Sequence, residues 1–172
     1  MEFKSGVEIE RKYIIAIPAL SDMQRMEGYR VSDIEQIYLE SSLATHRIRR
    51  REYADRCVYT ETVKHRIDGM SAVEEEREID AREYASLKEK IAVGSHPVCK
   101  KRHEFIYKGQ LFEIDIYPFW RGSCIMETEL ETRLDSPQLP PFIRIIREVT
   151  GDKRYSNASL SRALMPEENL SV

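Results

Sequence analysis

Residues 8–12 read Glu-Ile-Glu-Arg-Lys and place two carboxylates and an ammonium close together near the start of the chain. Side chains alternate between the two faces of an extended strand, so Glu8, Glu10 and Lys12 share one face. Two carboxylates two positions apart repel each other unless a positive charge sits between them. The pattern therefore indicates a site for a divalent cation.

Length and composition describe a charge-rich globular protein. The chain has 172 residues, the size of one ordinary domain, so we expect a single domain over residues 1–172. Hydrophobic residues make up 41% and charged residues 33%, a balance typical of a folded chain. The net charge of -3 argues against a large electropositive surface for nucleic acid, so no nucleic-acid partner is predicted.

The cysteines and the apolar runs bear on the cellular compartment. Cys57, Cys99 and Cys124 are widely spaced and odd in number, which suits a reducing environment. No run approaches the roughly 20 apolar residues that a membrane span needs, and the first residues do not form an apolar secretion segment. We expect a cytoplasmic protein without a membrane partner.

Alternation of polar and apolar residues predicts a mainly β protein. Strands are expected at about 7–17, 43–53, 56–66, 74–80, 98–108, 111–117 and 123–133. Helices are expected at about 20–28, 81–93, 141–149 and 158–164. A looser stretch is expected between the first helix and Tyr38.

Charge is sorted between these strands, with acidic sets on some and basic sets on others. An ordinary antiparallel sheet with one solvated face would also alternate, and that interpretation stays open for any single strand. If the sheet closed with its charged face inward, the sets would meet across one cavity and the apolar faces would pack outward. Because unpaired buried charges cost several kcal/mol each, such a cavity needs a ligand of both signs, such as a polyphosphate with Mg²⁺ or Mn²⁺.

The same residues resemble the CYTH, or triphosphate tunnel metalloenzyme, superfamily, whose first strand carries Glu-x-Glu-x-Lys. Here that signature is Glu8, Glu10 and Lys12. The resemblance extends in order from about residue 7 to residue 164. Its further elements are Arg47-x-Arg49, Lys64, Glu76-x-Glu78, Lys100-x-Arg102, Asp115, Glu127-x-Glu129 and the ending from Glu148 to Asn157.

The resemblance implies an α+β, mainly β fold: a closed eight-stranded antiparallel β-barrel, the triphosphate tunnel, with a charged interior and flanking helices. It also implies Mg²⁺ or Mn²⁺ as cofactor and a small-molecule triphosphate as substrate, and it allows a homodimer. The metal-binding residues it implies are Glu8, Glu10, Asp115, Glu127 and Glu129, with Glu76 and Glu78 as further candidates. The substrate-binding residues it implies are Lys12, Arg47, Arg49, Lys64, Lys100, Arg102 and Lys153.

Two registers stay open. Arg51, Arg66 and Lys101 could replace or supplement the basic residues above, and the pair of acidic residues in 74–80 that faces inward is not decided. Glu10, Lys12 and Lys64 are the expected catalytic residues. His46, His65 and His103 lack ligand spacing, and Trp120 is expected to cap the core.

The favoured hypothesis is a divalent-metal-dependent hydrolase that converts inorganic triphosphate to pyrophosphate and phosphate. One alternative is an enzyme acting on an organic triphosphate, either a class IV type adenylate cyclase or a thiamine or nucleoside triphosphatase. Another, of a different class, is a module that binds polyphosphate without turnover.

Overall fold

The computed structural model describes residues 4–42, 44–164 and 167, and its architecture is mainly β. The strands are β1 Lys4–Ala16, β2 Glu27–Leu39, β3 Thr45–Glu52, β4 Cys57–Arg66, β5 Ser71–Ile79, β6 Val98–Tyr107, β7 Gln110–Ile116, β8 Ser123–Glu129 and β9 Ile145–Glu148. The helices are α1 Leu20–Gln24, α2 Ala81–Lys88 and α3 Asn157–Leu160, with a 3-10 turn at Lys153–Tyr155. Within the described residues, no helix is long and apolar enough to cross a membrane.

Eight strands close into an antiparallel ring, as predicted. Neighbours around the sheet run β5-β4-β3-β2-β6-β7-β8-β1, and β1 also pairs with β5. This closure is possible because β1 uses its two halves differently: residues 4–9 pair with β5, whereas residues 10–16 pair with β8. The ninth strand, β9, pairs with residues 13–15 of β1, past the point where the pairing of β1 with β5 ends.

The stretch before Tyr38, expected to be loose, is instead the long strand β2. It pairs with β3 on one side and with β6 on the other. From residue 32 to residue 38 its inward-facing residues are Ser32, Ile34, Gln36 and Tyr38, which carry no charge, so the alternation of charge that marks the other strands is absent there. This uncharged face explains why the sequence pattern did not indicate a strand.

The prediction of a helix at 141–149 is also wrong, because strand β9 occupies the second half of this segment. Tyr13 of β1 pairs with Glu148 there. Phe142, which suggested a helical face, packs together with Ile143 against the outer apolar surface of the ring. A free length of edge on β1 offered this segment backbone hydrogen bonds, and that tertiary pairing overrides a weak local helical pattern.

Several other bounds are shorter than the sequence predicted. The first helix ends at Gln24, the second at Lys88 and the last at Leu160, and β8 ends at Glu129. Leu43, expected to begin a strand, lies outside the described residues. Strand β3 begins at Thr45.

The apolar residues cover the outside of the ring and close one end of its interior. Outside, Phe105, Phe112 and Met126 form one cluster, and Ile37 and Ile48 form another with residues of α2. Inside, a third cluster contains the apolar inward-facing residues that follow the charged ones along the strands. Its members are Ile14, Tyr38, Val98, Tyr117, Trp120, Ile125, Val149, Tyr155 and Leu160. Loop and C-terminal residues thus plug this end, and the charged interior is left beside them.

Candidate functional site

The interior of the ring holds a cavity of about 670 Å³ whose lining is charged in both senses. Its basic residues are Lys12, Arg47, Arg49, Lys64, Arg66, Arg102 and Lys153. Its acidic residues are Glu8, Glu10, Glu74, Glu76, Glu113, Glu127 and Glu129. The remaining lining residues are Tyr38, Thr45, Ser156, Asn157, Ala158 and Ser159.

Glu8, Glu10 and Lys12 all face this cavity from β1. Lys12 is the direct cross-strand partner of Glu127, and its Nζ lies 2.6 Å from Glu127 Oε1 and 4.0 Å from Glu10 Oε1. Burial alone would favour the neutral amine, but the charges of Glu127 and Glu10 outweigh it and hold the pKa of Lys12 above its ordinary value. Lys12 therefore stays an ammonium within the cavity.

The carboxylates at this end of the cavity crowd one another. Burial, together with the negative charge of Glu74, raises the pKa of Glu8 to about 7. Glu10 and Glu129 are direct cross-strand neighbours. Among the described residues, no group of three or more acidic, histidine or cysteine side chains is positioned to hold a metal ion without rearrangement. The donor set nevertheless fits a hard divalent cation, because crowded carboxylate oxygens are its preferred ligands and a cation would relieve their repulsion.

Side chains from strands β3, β4 and β5 form a cluster of ion pairs at the cavity. Glu74 accepts from Arg47 at 3.1 Å and from Lys64 at 2.5 Å, and Lys64 also lies 3.5 Å from Glu8. Burial opposes ionisation of Glu74, but the two cations lower its pKa below the ordinary value. Thr62 donates to Glu76 at 2.7 Å. Arg47 and Lys64 are thereby held toward the cavity.

Arg49 is held differently. Its Nε donates to Gln36 Oε1 at 3.3 Å. Burial, reinforced by the charges of Arg47 and Arg102, lowers the pKa of Arg49 to about 10, so the side chain remains charged at neutral pH. Its positive charge is the least compensated of the arginines on β3 that face the cavity.

Arg102 links the cavity to a buried set of charges beneath it. Its guanidinium donates to Asp115 at 2.6 Å and 2.7 Å, to Glu127 at 3.1 Å and to Glu113. Asp115 also accepts from Lys100, and both of these side chains are almost fully buried. Burial opposes ionisation of Asp115, but Arg102 and Lys100 lower its pKa. These contacts fix the Arg102 side chain firmly.

The ring brings most of the sequence-predicted site residues to one cavity, and it leaves three of them outside the lining. Lys100 and Asp115 form the buried pair beneath Arg102, and Glu78 is not among the lining residues. Of the open alternatives, Arg66 lines the cavity. Arg51 instead bonds Glu104 and Ser32, and Lys101 bonds the exposed Asp33.

Several lining residues had no assigned role in the sequence analysis. Glu74 settles the open register of β5, because it lines the cavity together with Glu76. Glu113 lies two positions before Asp115 on β7, so the alternation of that strand could have identified it. Tyr38 had no signal because its strand was not recognised. Ser156 and Asn157 come from the C-terminal segment, whose approach to the ring local sequence does not encode.

Comparison with known proteins gives one sequence relative and several structural ones. No family profile matches the chain. The chain is 31% identical over 157 residues to an inorganic triphosphatase of Acetivibrio thermocellus, an alignment that covers 90% of this chain and 93% of the relative. The crystal structure of the inorganic triphosphatase NE1496 superposes with a TM-score of 0.57 at 26% identity, over 93% of this chain and 97% of that one. The PH1819 protein of Pyrococcus horikoshii shares the fold, with a TM-score of 0.54 at 21% identity over 73% of this chain and 80% of that one.

Proposed function

Because the chain belongs to the inorganic triphosphatase family, we propose that it hydrolyses inorganic triphosphate to pyrophosphate and phosphate in the presence of Mg²⁺ or Mn²⁺. The observation that carries this proposal is the cavity, which the described part of the chain lines with seven basic and seven acidic side chains. Guanidinium and ammonium groups bind phosphate oxygens, and carboxylates bind the hard cations that accompany polyphosphates. A triphosphate with its cation satisfies both sets of charges.

The carboxylates proposed to hold the cation are Glu8, Glu10, Glu127 and Glu129, which β1 and β8 bring to one side of the cavity. When bound, a divalent cation would neutralise phosphate charge and polarise the reacting phosphoryl group. Asp115 is less suited to this role, because its side chain is almost fully buried and lies outside the cavity lining, whereas Glu127 lines the cavity although Lys12 and Arg102 bond its oxygens.

The basic side chains would position the triphosphate and stabilise charge as the bond to the leaving pyrophosphate breaks. Arg47 and Lys64 lie on adjacent strands and share the carboxylate of Glu74, so they approach the cavity together. Arg102 enters from β6, which β2 separates from β3 in the ring. Phosphoryl transfer depends mainly on such positioning and electrostatic stabilisation.

The attacking water also needs a group that takes its proton. Glu10 lines the cavity and lies 4.0 Å from the ammonium of Lys12. In our proposal the water oxygen attacks the terminal phosphorus, its proton passes to Glu10, and the bridging oxygen leaves with pyrophosphate. Lys12 and Lys64 stabilise the negative charge that develops on the phosphate oxygens.

The lining also favours an inorganic over an organic triphosphate. A nucleobase or a thiamine ring needs an apolar or aromatic surface to bind against. Among the described residues that line the cavity, Tyr38 is the one aromatic side chain and Ala158 the one aliphatic one. A screen against inorganic triphosphate, ATP and thiamine triphosphate with Mg²⁺ or Mn²⁺ tests this choice. Turnover of ATP to a cyclic product with no hydrolysis of inorganic triphosphate would overturn it.

Replacing Glu127 with Gln should reduce the hydrolysis of inorganic triphosphate about a hundredfold or more, because a carboxylate proposed to hold the cation is lost. The measurement is phosphate release with Mg²⁺ or Mn²⁺. Glu131→Gln is the matched control: Glu131 continues the same alternation but is exposed beyond the end of β8. Wild-type rates in Glu127→Gln would contradict the proposal, and tight binding of triphosphate by the wild type without phosphate release would favour a binding module.

A further inference from the structure

The backbone of Lys12 lies at a gap in the ring, where one edge of β1 changes from one neighbouring strand to another. Pairing with β5 ends at Ile9, and just beyond it the Glu10 N–H donates to the carbonyl oxygen of Met70 at 3.1 Å. Pairing with β9 begins at Tyr13. Lys12 therefore lies between these two pairings, at the point where the ring passes from β5 to β9.

The chain leaves β9 immediately beside this gap. The Val149 N–H donates to the carbonyl oxygen of Lys12 at 2.8 Å, as in an antiparallel ladder. Two residues paired in this way normally exchange a second bond, here from the Lys12 N–H to the carbonyl oxygen of Val149. That oxygen instead accepts from the N–H of Asp152 at 3.0 Å, in the turn that leads to Lys153 at the cavity. The turn thus takes away the ladder partner of the Lys12 N–H.

The side chain of Thr150 supplies the missing acceptor. The Lys12 N–H donates to Thr150 Oγ1 at 3.1 Å. The single proton of that hydroxyl has its nearest acceptor in Glu148 Oε1 at 2.8 Å, since the carbonyl oxygen of Lys12 lies at 3.4 Å and already accepts from Val149. Glu148 in turn lies 3.4 Å from the guanidinium of Arg11. The hydroxyl therefore donates to Glu148 and accepts from the Lys12 N–H.

The position of the Lys12 ammonium depends on both ends of its flexible four-carbon stem. At the tip, Nζ lies 2.6 Å from Glu127 Oε1. At the base, the backbone is held on one edge by β8 and on the other edge by Thr150. Without the hydroxyl, β1 would have to shift toward another acceptor or admit water to satisfy the N–H. A displacement of about 1 Å can reduce a catalytic rate about a hundredfold, so a small shift is enough to matter.

We propose that the Thr150 hydroxyl closes the ring at this gap and is a positioning residue for Lys12, which it holds where the ammonium meets the charge that develops on the phosphate oxygens. This inference rests on the proposed function, because that function assigns Lys12 to the substrate. Thr150 is not among the described residues that line the cavity, so it acts through Lys12. It also lets the chain turn out of β9 toward Lys153 without leaving the Lys12 backbone unbonded.

Thr150→Val removes the hydroxyl and nearly keeps the shape, whereas Thr150→Ser keeps the hydroxyl. Thr150→Val should lower kcat for inorganic triphosphate with Mg²⁺ about tenfold or more, because a displaced Lys12 stabilises the transition state less well. The change in KM should be smaller, and Thr150→Ser should restore most of kcat. Tyr84→Phe is the control, since this buried tyrosine donates to Glu35 at 2.9 Å on the outer face of β2. It also loses one hydroxyl hydrogen bond, and should change thermal stability but not kcat.

Amide hydrogen exchange measures the proposed bond directly. The Lys12 N–H should exchange about fivefold faster or more in Thr150→Val than in the wild type, because it has lost its acceptor. Thr150→Ser should protect this amide as the wild type does. Equal protection in all three proteins would overturn the proposed closure of the ring.

Lys12→Met separates positioning from a general effect on structure. If Thr150 acts through Lys12, adding Thr150→Val to Lys12→Met should lower the residual rate by less than about twofold. A general loosening of the fold would lower the rate by the same factor with or without Lys12. The comparison of Thr150→Val with Thr150→Ser still decides the matter if Lys12→Met has no measurable rate. Thr150→Ala replaces Thr150→Val if the latter does not fold.

The outcomes distinguish this inference from the proposed function. If the wild type does not hydrolyse inorganic triphosphate, both are overturned. If the wild type hydrolyses it and Thr150→Val keeps the wild-type kcat, the positioning role is overturned and the proposed function stands. An equal loss of kcat in Thr150→Ser and Thr150→Val would likewise overturn the positioning role, because the hydroxyl would then make no difference.

Discussion

At the scale of the residue, Asp115 shows how burial changes what a carboxylate can do. The resemblance to the triphosphate tunnel superfamily made it a candidate metal ligand, but only 1% of its surface is exposed. Arg102 donates to both of its oxygens and Lys100 bonds one of them. A buried anion held in this way neutralises two buried cations, so its contribution to the fixed position of Arg102 outweighs any access to a cation from solution.

Asp115→Asn should therefore lower the free energy of unfolding by about 3–5 kcal/mol, because it leaves Lys100 and Arg102 buried with insufficient negative charge. Urea titration followed by circular dichroism measures the change. Asp33→Asn is the control, since Asp33 pairs with Lys101 at 2.6 Å but both side chains are about half exposed or more. That exposed pair should contribute less than about 1 kcal/mol. Equal effects of the two substitutions would contradict the interpretation of Asp115.

At the scale of the element, the C-terminal segment is joined to the β4–β5 hairpin by a contact between two glycines. Gly151 follows β9 and has a φ of +74°, in the left-handed region that favours glycine. A methyl group on Gly151 would lie 3.2 Å from both the Cα and the carbonyl oxygen of Gly69, which is backbone and cannot turn aside. The segment that follows Gly151 carries Lys153, which lines the same cavity as Lys64 and Arg66 of β4.

Gly151→Ala should destabilise the protein by about 1–2 kcal/mol from the left-handed backbone alone, with a further contribution from the contact with Gly69. It should also raise KM for inorganic triphosphate, because Lys153 moves with this segment. Thermal unfolding and initial rates measure the two effects. In Gly69→Ala the added methyl would lie 3.6 Å from Gly151 Cα, an ordinary contact, so we expect a smaller loss. A larger loss in Gly69→Ala would refute this account of the contact.

At the scale of the whole molecule, the ring places ionised carboxylates inside and ties stability to pH. Glu104 is 3% exposed and faces Arg51 at 2.5 Å and Arg30 at 3.6 Å, with Glu113 directly across on β7. Burial opposes its ionisation, but Arg51 and Arg30 lower its pKa. A carboxylate with a lowered pKa in the folded state stabilises the protein above its unfolded pKa of about 4.3, and this contribution is lost as the pH falls through the folded value.

Glu104→Gln should accordingly be less stable than the wild type at pH 7, and the difference should shrink as the pH is lowered from about 5 toward 3. The neutral amide cannot gain a proton, whereas Glu104 takes one up and loses its attraction to Arg51. Urea unfolding of both proteins across this range measures the difference. A difference that stays constant with pH would show that Glu104 contributes packing and not charge.

Much of the ring and of its lining could be predicted from local pattern. Alternation on β1, β3, β4 and β8 was sufficient to place Glu8, Arg47, Lys64 and Glu127 on inward faces. The pattern failed for β2, where Ser32, Ile34 and Gln36 carry no charge, and for 141–149, where apolar spacing suggested a helix. Both segments became strands because neighbouring strands had unpaired backbone edges, and that is a property of the assembled sheet.

The sequence by itself determined which side chains share a face, because the two-residue period of a strand is a local property of the backbone. The closed ring and the interior lined by both positive and negative charges follow from this periodicity and from the resemblance of the motifs. Only the tertiary structure decided which faces meet across the cavity, that Lys100 and Asp115 are paired beneath it, and that Gln36 and Tyr38 stand beside Arg49. Those relations join residues on different strands, and they arise from closure of the ring and burial, which no single segment encodes.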